Sequence, residues 1–320
     1  KARGLRMAPG DLYREGGAGL VNAVVIFGGG GTGEFVSSEG LILTNHHIAF
    51  DALQRESTPE RDILTDGFVA MTRETEMPAK GYSVDVLLGY REVTEEILAA
   101  LSPDMSPGQR HDAIDQAEKR LIADAEKEAT DIRASVASMF SGNAYYLFRF
   151  KRINDIRLVY APPQSLGRFG GEIDNWMWPR HSSDFAFMRA YVSPDNVGVE
   201  YSEDNVPYRP PSVLKVSLEG FKEGDFAFVV GYPGYTHRNK TVAELRSDLD
   251  VLERRSEGYR EVISFLEEAG RDDREIELRY ANCVRALHNR VKNYGAKLEG
   301  IEQRDVIGKK SAQEEELSAW

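Results

Sequence analysis

Leu41-Ile42-Leu43-Thr44-Asn45-His46-His47-Ile48 is the stretch on which the fold turns. An apolar run closes on two small polar residues and then meets two adjacent histidines, which reads as a strand delivering both imidazoles into a turn. Neighbouring side chains of a strand point to opposite faces, so one of the two is expected to enter a shared site. Upstream, Ala23-Val24-Val25-Ile26-Phe27 is a second apolar run, ended by Gly28 to Gly31. Glu34 to Ser37 is joined to the 41–44 run by a Ser-Glu-Gly turn, which predicts a β-hairpin. Downstream, Tyr82 to Leu88 alternates apolar and polar positions. Tyr145 to Arg149, Arg157 to Tyr160, Phe185 to Val192 and Phe226 to Gly231 are further strand candidates. Ser106-Pro107 marks a helix start, and Ile114, Ala117, Leu121 and Ala125 recur at helical spacing. The expectation is an amphipathic helix over about 106–137, packed on a β-rich body. From Thr241 onward the pattern is helical and charged, with Leu245, Leu249, Leu252, Tyr259, Ile263 and Leu266 on one stripe. The chain therefore divides into a mainly β region, 1–240, and a helical region, 241–320.

Composition bounds the function. The 320 residues are 41% hydrophobic and 29% charged, a globular balance with room for roughly two domains. Forty Lys and Arg against 52 Asp and Glu leave a net charge of −12, which repels phosphate backbones and argues against nucleic acid as a partner. No run of about 18 apolar residues occurs, so no membrane-spanning helix is predicted. Cys283 stands alone, which excludes an internal disulfide and a cysteine-built zinc cage. The sequence opens at Lys1 without an apolar leader and stops at Trp320 within a helical pattern. We therefore expect a piece of a longer protein.

The chemistry rests on histidine and aspartate. Histidine is the usual general base near neutral pH. In Ser183-Asp184-Phe185-Ala186-Phe187-Met188-Arg189 an aspartate opens an alternating strand, a position suited to accepting the Nδ1 proton of an imidazole. Alone this is weak, because aspartate commonly precedes strands as a turn residue. Histidine followed by aspartate in a β-rich chain is, however, the order of chymotrypsin-like serine proteases. No second histidine or cysteine lies at helical spacing from His46 or His47. Gly28 to Gly31 lacks the Lys-Ser/Thr pair and following helix of a phosphate loop, so neither metal nor cofactor is expected.

Longer motifs sharpen this reading. Gly30-Gly31-Thr32-Gly33-Glu34-Phe35-Val36-Ser37 and Glu39 to His47 resemble the signature of bacterial dipeptidyl peptidases of peptidase family S46. So do Phe169-Gly170-Gly171-Glu172-Ile173-Asp174-Asn175-Trp176-Met177-Trp178-Pro179-Arg180-His181, Gly231-Tyr232-Pro233-Gly234 and Asn289 to Tyr294. The resemblance implies that His47 is the catalytic base, that His46 is structural and that Asp184 orients the base. It assigns Asn175, Trp176 and Asn289 to the free amino terminus of a peptide, with Asn293 as the alternative register for Asn289. An asparagine carbonyl can accept a hydrogen bond from an ammonium, and an indole face adds a cation–π attraction of roughly 0.5–2 kcal/mol. Trp178 is read as a core residue.

The resemblance further implies a chymotrypsin-like β-barrel leading into a helical cap, with the second barrel largely outside the chain. The implied activity is release of dipeptides from free amino termini by a Ser-His-Asp mechanism, in a periplasmic or secreted, homodimeric protein. The family serine lies in a G-N-S-G-S-like segment, and no serine here has that setting, so the isolated chain is expected to be inactive. The alternatives are a non-catalytic peptide-binding relative and an ordinary trypsin-like endopeptidase. Gly31 and Ile48 stand where the family usually has cysteines, which implies loss of one disulfide. Thr236-His237-Arg238-Asn239 lacks the aromatic expected after the arginine.

Overall fold

Val24–Phe27 (β1), Thr32–Phe35 (β2) and Leu41–Thr44 (β3) form an antiparallel meander, with Val25 opposite Gly33 and Glu34 opposite Leu43. The turn between β2 and β3 needs Gly40. Its φ is +71°, and a Cβ there would lie 2.7 Å from the Ala190 carbonyl oxygen. The computed structural model describes residues 4–14, 18–234 and 239–320, so Thr236-His237-Arg238 lies outside the described residues.

The remaining principal strands are Val84–Glu92 (β4), Ile132–Met139 (β5), Ala144–Ile153 (β6), Asp155–Ala161 (β7) and Ala186–Val192 (β8). They run in the order β7-β8-β3-β2-β1-β4-β6-β5 within one sheet, to which two-residue strands at 68–69, 77–78 and 206–207 add. The neighbouring pairs are antiparallel. Val25, Phe27, Phe35, Ile42, Val84, Val86, Ile153, Leu158 and Met188 form the sheet's buried face. Each large apolar side chain removed from water there contributes about 1.5–3 kcal/mol.

The described chain divides into two compact units. The first, residues 1–45, 69–160 and 186–233, holds the sheet. It also holds the helix Pro107–Glu126, whose Ser106 cap accepts from Gln109 N and whose Ala117 and Ala125 are buried with Val93, Ile97, Tyr145 and Leu147. The helix expected to reach about 137 ends at Glu126. Residues 132–139 are instead a strand, because Ile132 to Met139 pairs along its whole length with β6. The 226–231 stretch, expected as a strand, forms none. Around it Val216, Leu218, Phe221, Phe226, Phe228 and Val229 are all exposed.

The second unit is discontinuous: residues 46–68, 161–185 and 234–320. It contains the helix His46–Arg55 (α1 below) and a hairpin of two long helices, Val242–Gly270 (α2) and Arg274–Gln303 (α3), followed by Val306–Ala319. Thr241 and Glu244 close a capping box on α2. Asp273 caps α3 by accepting from Glu275 N and Ile276 N. Between them Gly270 lets the helices approach, since a Cβ there would meet the Glu277 backbone at 3.1 Å. Ile263, Leu278 and Leu287 are buried in the hairpin, while Cys283 is exposed on α3. Among the described residues no helix is long and apolar enough to cross a membrane.

Candidate active site

His46 and His47 occupy the first turn of α1 rather than a strand end. Successive helical side chains diverge by about 100°, not 180°, so both imidazoles can line one cavity, and here both do. The expectation that only one enters the site is corrected on this ground. His46 is fully buried, and its ring lies against Gly167, where a Cβ would come within 2.5 Å of Cγ and Cδ2. Phe50, one turn on, meets the ring edge-on at 6.3 Å. Neither ring nitrogen of His46 finds a hydrogen-bond partner among the described residues. Burial pushes its pKa down, outweighing the pull of the Asp184 charge, so the ring is held neutral.

His47 is tied twice to Asp184. Its backbone N donates to Oδ1 at 3.0 Å, and its Nδ1 lies 2.7 Å from Oδ2. An ionised carboxylate only accepts, so Nδ1 carries the proton and Nε2 is left with its lone pair. Burial alone would raise the Asp184 pKa. The hydrogen bond and charge of His47 outweigh it and hold the carboxyl below the usual carboxylate range. Asp184 is itself positioned by its neighbour: Ser183 N donates to the Leu166 carbonyl at 2.9 Å, at the short helical turn Gln164–Gly167.

The same cavity, about 420 Å³, is lined by Asn175, Trp176 and Asn289. Asn289 projects from α3 and its Oδ1 accepts from Asn175 Nδ2 at 2.9 Å and from Trp176 Nε1 at 3.1 Å. Trp176 sits in the left-handed region, φ +60°, a conformation that tryptophan holds only under constraint, and the residue remains 57% exposed. Trp178, expected in the core, is 92% exposed. The loop that carries it is held by polar contacts from Asn289 and Lys292, not by buried apolar packing. All five sequence-derived residues, His47, Asp184, Asn175, Trp176 and Asn289, thus meet around one cavity.

Three further lining residues do not stand out from sequence. Arg168 pairs with Glu172, Glu172 accepts from Asn175, and Arg180 Nη1 donates to Asn175 Oδ1 at 3.3 Å. The i,i+4 spacing of Arg168 and Glu172 is the available signal, but it matches any solvated ion pair. Helix α1 is fastened to α3 by Gln54, whose Nε2 donates to the Arg279 carbonyl at 2.7 Å and whose Oε1 accepts from Asn282 N at 3.2 Å. The Arg285 guanidinium lies 4.9 Å over the Phe50 ring.

Comparison with known proteins matches the Peptidase S46 family over residues 1–320. Dipeptidyl-peptidase 7 of Porphyromonas endodontalis is 38% identical over 323 residues, covering 100% of this chain and 39% of that protein. The Asp/Glu-specific dipeptidyl-peptidase of Shewanella putrefaciens is 40% identical over 292 residues, 90% of this chain and 39% of its own. The crystal structure of Porphyromonas endodontalis DPP11 in complex with the dipeptide Arg-Asp superposes with a TM-score of 0.92 at 33% identity, over 100% of this chain and 47% of that one. The mainly antiparallel sheet with helices is shared with that structure. The chain spans less than half the length of these relatives.

Proposed function

Because this chain belongs to peptidase family S46, we propose that the full-length protein is a serine-type dipeptidyl aminopeptidase to which these residues contribute the base and the amine anchor. The observation that carries the reading is the double tie between His47 and Asp184, with Nδ1 of the imidazole 2.7 Å from the carboxylate. In this reading His47 Nε2 takes the proton from a serine Oγ outside these 320 residues as that oxygen attacks the scissile carbonyl. The same nitrogen returns the proton to the leaving amine, and water then hydrolyses the acyl-enzyme. Asp184 holds the required tautomer and stabilises the imidazolium.

Asn175, Trp176 and Asn289 hold the peptide's free ammonium, so that cleavage is counted from the amino end. The sheet is the first part of a chymotrypsin-like barrel, and the helices from 242 onward begin a cap. A periplasmic or secreted location and a dimer belong to the same proposal. The 320-residue chain by itself has no hydrolytic activity, because its base has no nucleophile to activate.

The test uses the full-length protein, a fluorogenic dipeptidyl substrate and its amino-acetylated counterpart. Hydrolysis of the free-amine substrate alone is expected, with a loss of about 10⁴-fold in kcat for Asp184→Asn. Cleavage of the acetylated substrate at a comparable rate would make the protein an endopeptidase. Dipeptide binding without hydrolysis would make it a peptide-binding relative.

A further inference from the structure

The side chains around Asn175 fix more than position. An amide can present either its oxygen or its NH₂ to a ligand, and only the surrounding donors and acceptors decide which. Here the network is anchored at both ends by groups of fixed polarity. At one end is the Glu172 carboxylate, paired with Arg168 and accepting from Asn175 Nδ2 at 3.1 Å. At the other is the Trp176 indole, which can only donate and gives its N–H to Asn289 Oδ1 at 3.1 Å. Asn175 Nδ2 spends its second hydrogen on the same Asn289 oxygen at 2.9 Å. Both amino hydrogens are therefore used inside the network, and Asn175 Oδ1 is turned away from it. That oxygen meets a cation, Arg180 Nη1, at 3.3 Å, and Asn175 and Arg180 both line the cavity that holds His47.

We infer that Glu172 is a positioning residue. It locks the Asn175 amide with its carbonyl outward, so that the oxygen, not the amino group, faces the substrate ammonium. The inference rests on the amine-anchor reading above and adds the residue that sets the anchor's polarity. Since Arg168 balances its charge, Glu172 acts through acceptor geometry more than through long-range attraction. A reversed amide would direct N–H groups at an ammonium and reject it.

The experiment compares full-length wild type with Glu172→Gln, a side chain of the same size that offers either an acceptor or a donor. With the free-amine substrate KM is expected to rise at least about tenfold, the scale of one hydrogen bond to a charged group, while kcat changes far less. The binding advantage of a free-amine dipeptide over its acetylated form, read by calorimetry on a His47→Ala background, should shrink by a similar factor. Glu172→Asp, which keeps the polarity but shortens the reach, should fall between the two. It also serves as the folding-competent comparison if Glu172→Gln unfolds.

An unchanged preference for the free amine in either Glu172 variant overturns the inference. An unchanged preference in Asn175→Leu would instead overturn the amine-anchor reading itself, so the two failures are distinguishable. A purely structural role would lower kcat and KM performance together and leave the discrimination between free and acetylated ligands intact.

Discussion

At the level of single residues, the placement of the His47–Asp184 pair hangs on a missing side chain. Gly167 allows the His46 ring to lie flat against the backbone, and His46 is too deeply buried to turn aside. Gly167→Ala would place a methyl group 2.5 Å from the imidazole carbons, so the first turn of α1 must move and carry His47 with it. Overpacking of this kind costs about 1–3 kcal/mol, and a displacement of about 1 Å at His47, the proposed base, can cost about 10²-fold in rate. Thermal unfolding and the hydrolysis rate of the full-length variant measure the two effects. An unaltered rate would mean that His46 does not transmit its packing to its neighbour. His47 is legible in the sequence because it closes a long motif, and Asp184 because it opens an alternating strand just beyond another. Glu172 and Arg180 lie within such a motif too, but their roles arise from contacts with Asn175. Letters alone do not reveal which way an amide is turned.

Among the elements, the sheet ends carry most of the buried charge. Asp131, at the entry to β5, accepts from Lys151 Nζ at 2.6 Å and from Gly198 N at 2.9 Å. Burial pushes the carboxyl up, but the Gly198 N–H and the Lys151 ammonium outweigh this and hold it below its ordinary value of 3.8. A carboxyl depressed in the folded state stabilises fully above its unfolded pKa, and that contribution is lost as pH falls through the lower folded value. Asp131→Asn leaves the Lys151 ammonium buried without its counterion and is expected to cost about 3–5 kcal/mol at neutral pH. The deficit relative to wild type should narrow once the pH drops below 3.8, as followed by urea unfolding across pH. A deficit that stays constant with pH would assign the loss to packing.

At this scale the hairpin is readable from its apolar runs and glycine turn, β4 and β8 from alternation, and two helix starts from Ser106-Pro107 and Thr241. The error at 127–137 has a physical cause: alanine favours helix, so Ala134 and Ala137 prolong the helical pattern, and pairing with β6 overrides that preference. The histidines resemble a strand terminus for a similar reason. Asn45-His46-His47 has no periodicity of its own, and the helix is defined by the burial of Ala49, Phe50 and Leu53 behind it.

Across the whole molecule, the polar and apolar surfaces are unevenly spread. A net charge of −12 favours dispersal in water, yet Leu218, Phe221 and Val229 are each more than 90% exposed within one extended stretch. Contiguous exposed apolar side chains mark surfaces that bind other chains or promote association. The 320-residue chain on its own is expected to bind a hydrophobic dye and to elute ahead of its monomer volume. Joint substitution Leu218→Lys, Phe221→Lys and Val229→Lys should suppress both effects. Each should change stability by no more than about 0.5 kcal/mol, the usual range for surface positions. Strong dye binding in the triple variant would place the sticky surface elsewhere.

The lone thiol on α3 has a consequence of its own. Each copy of this chain carries one sulfur of that kind, Cys283, and it faces solvent. Air oxidation can therefore neither staple a loop nor build a network; it can only join copies two at a time. A species of doubled mass on a non-reducing gel reports sulfur chemistry on one helix, and its disappearance with dithiothreitol separates that artefact from genuine assembly.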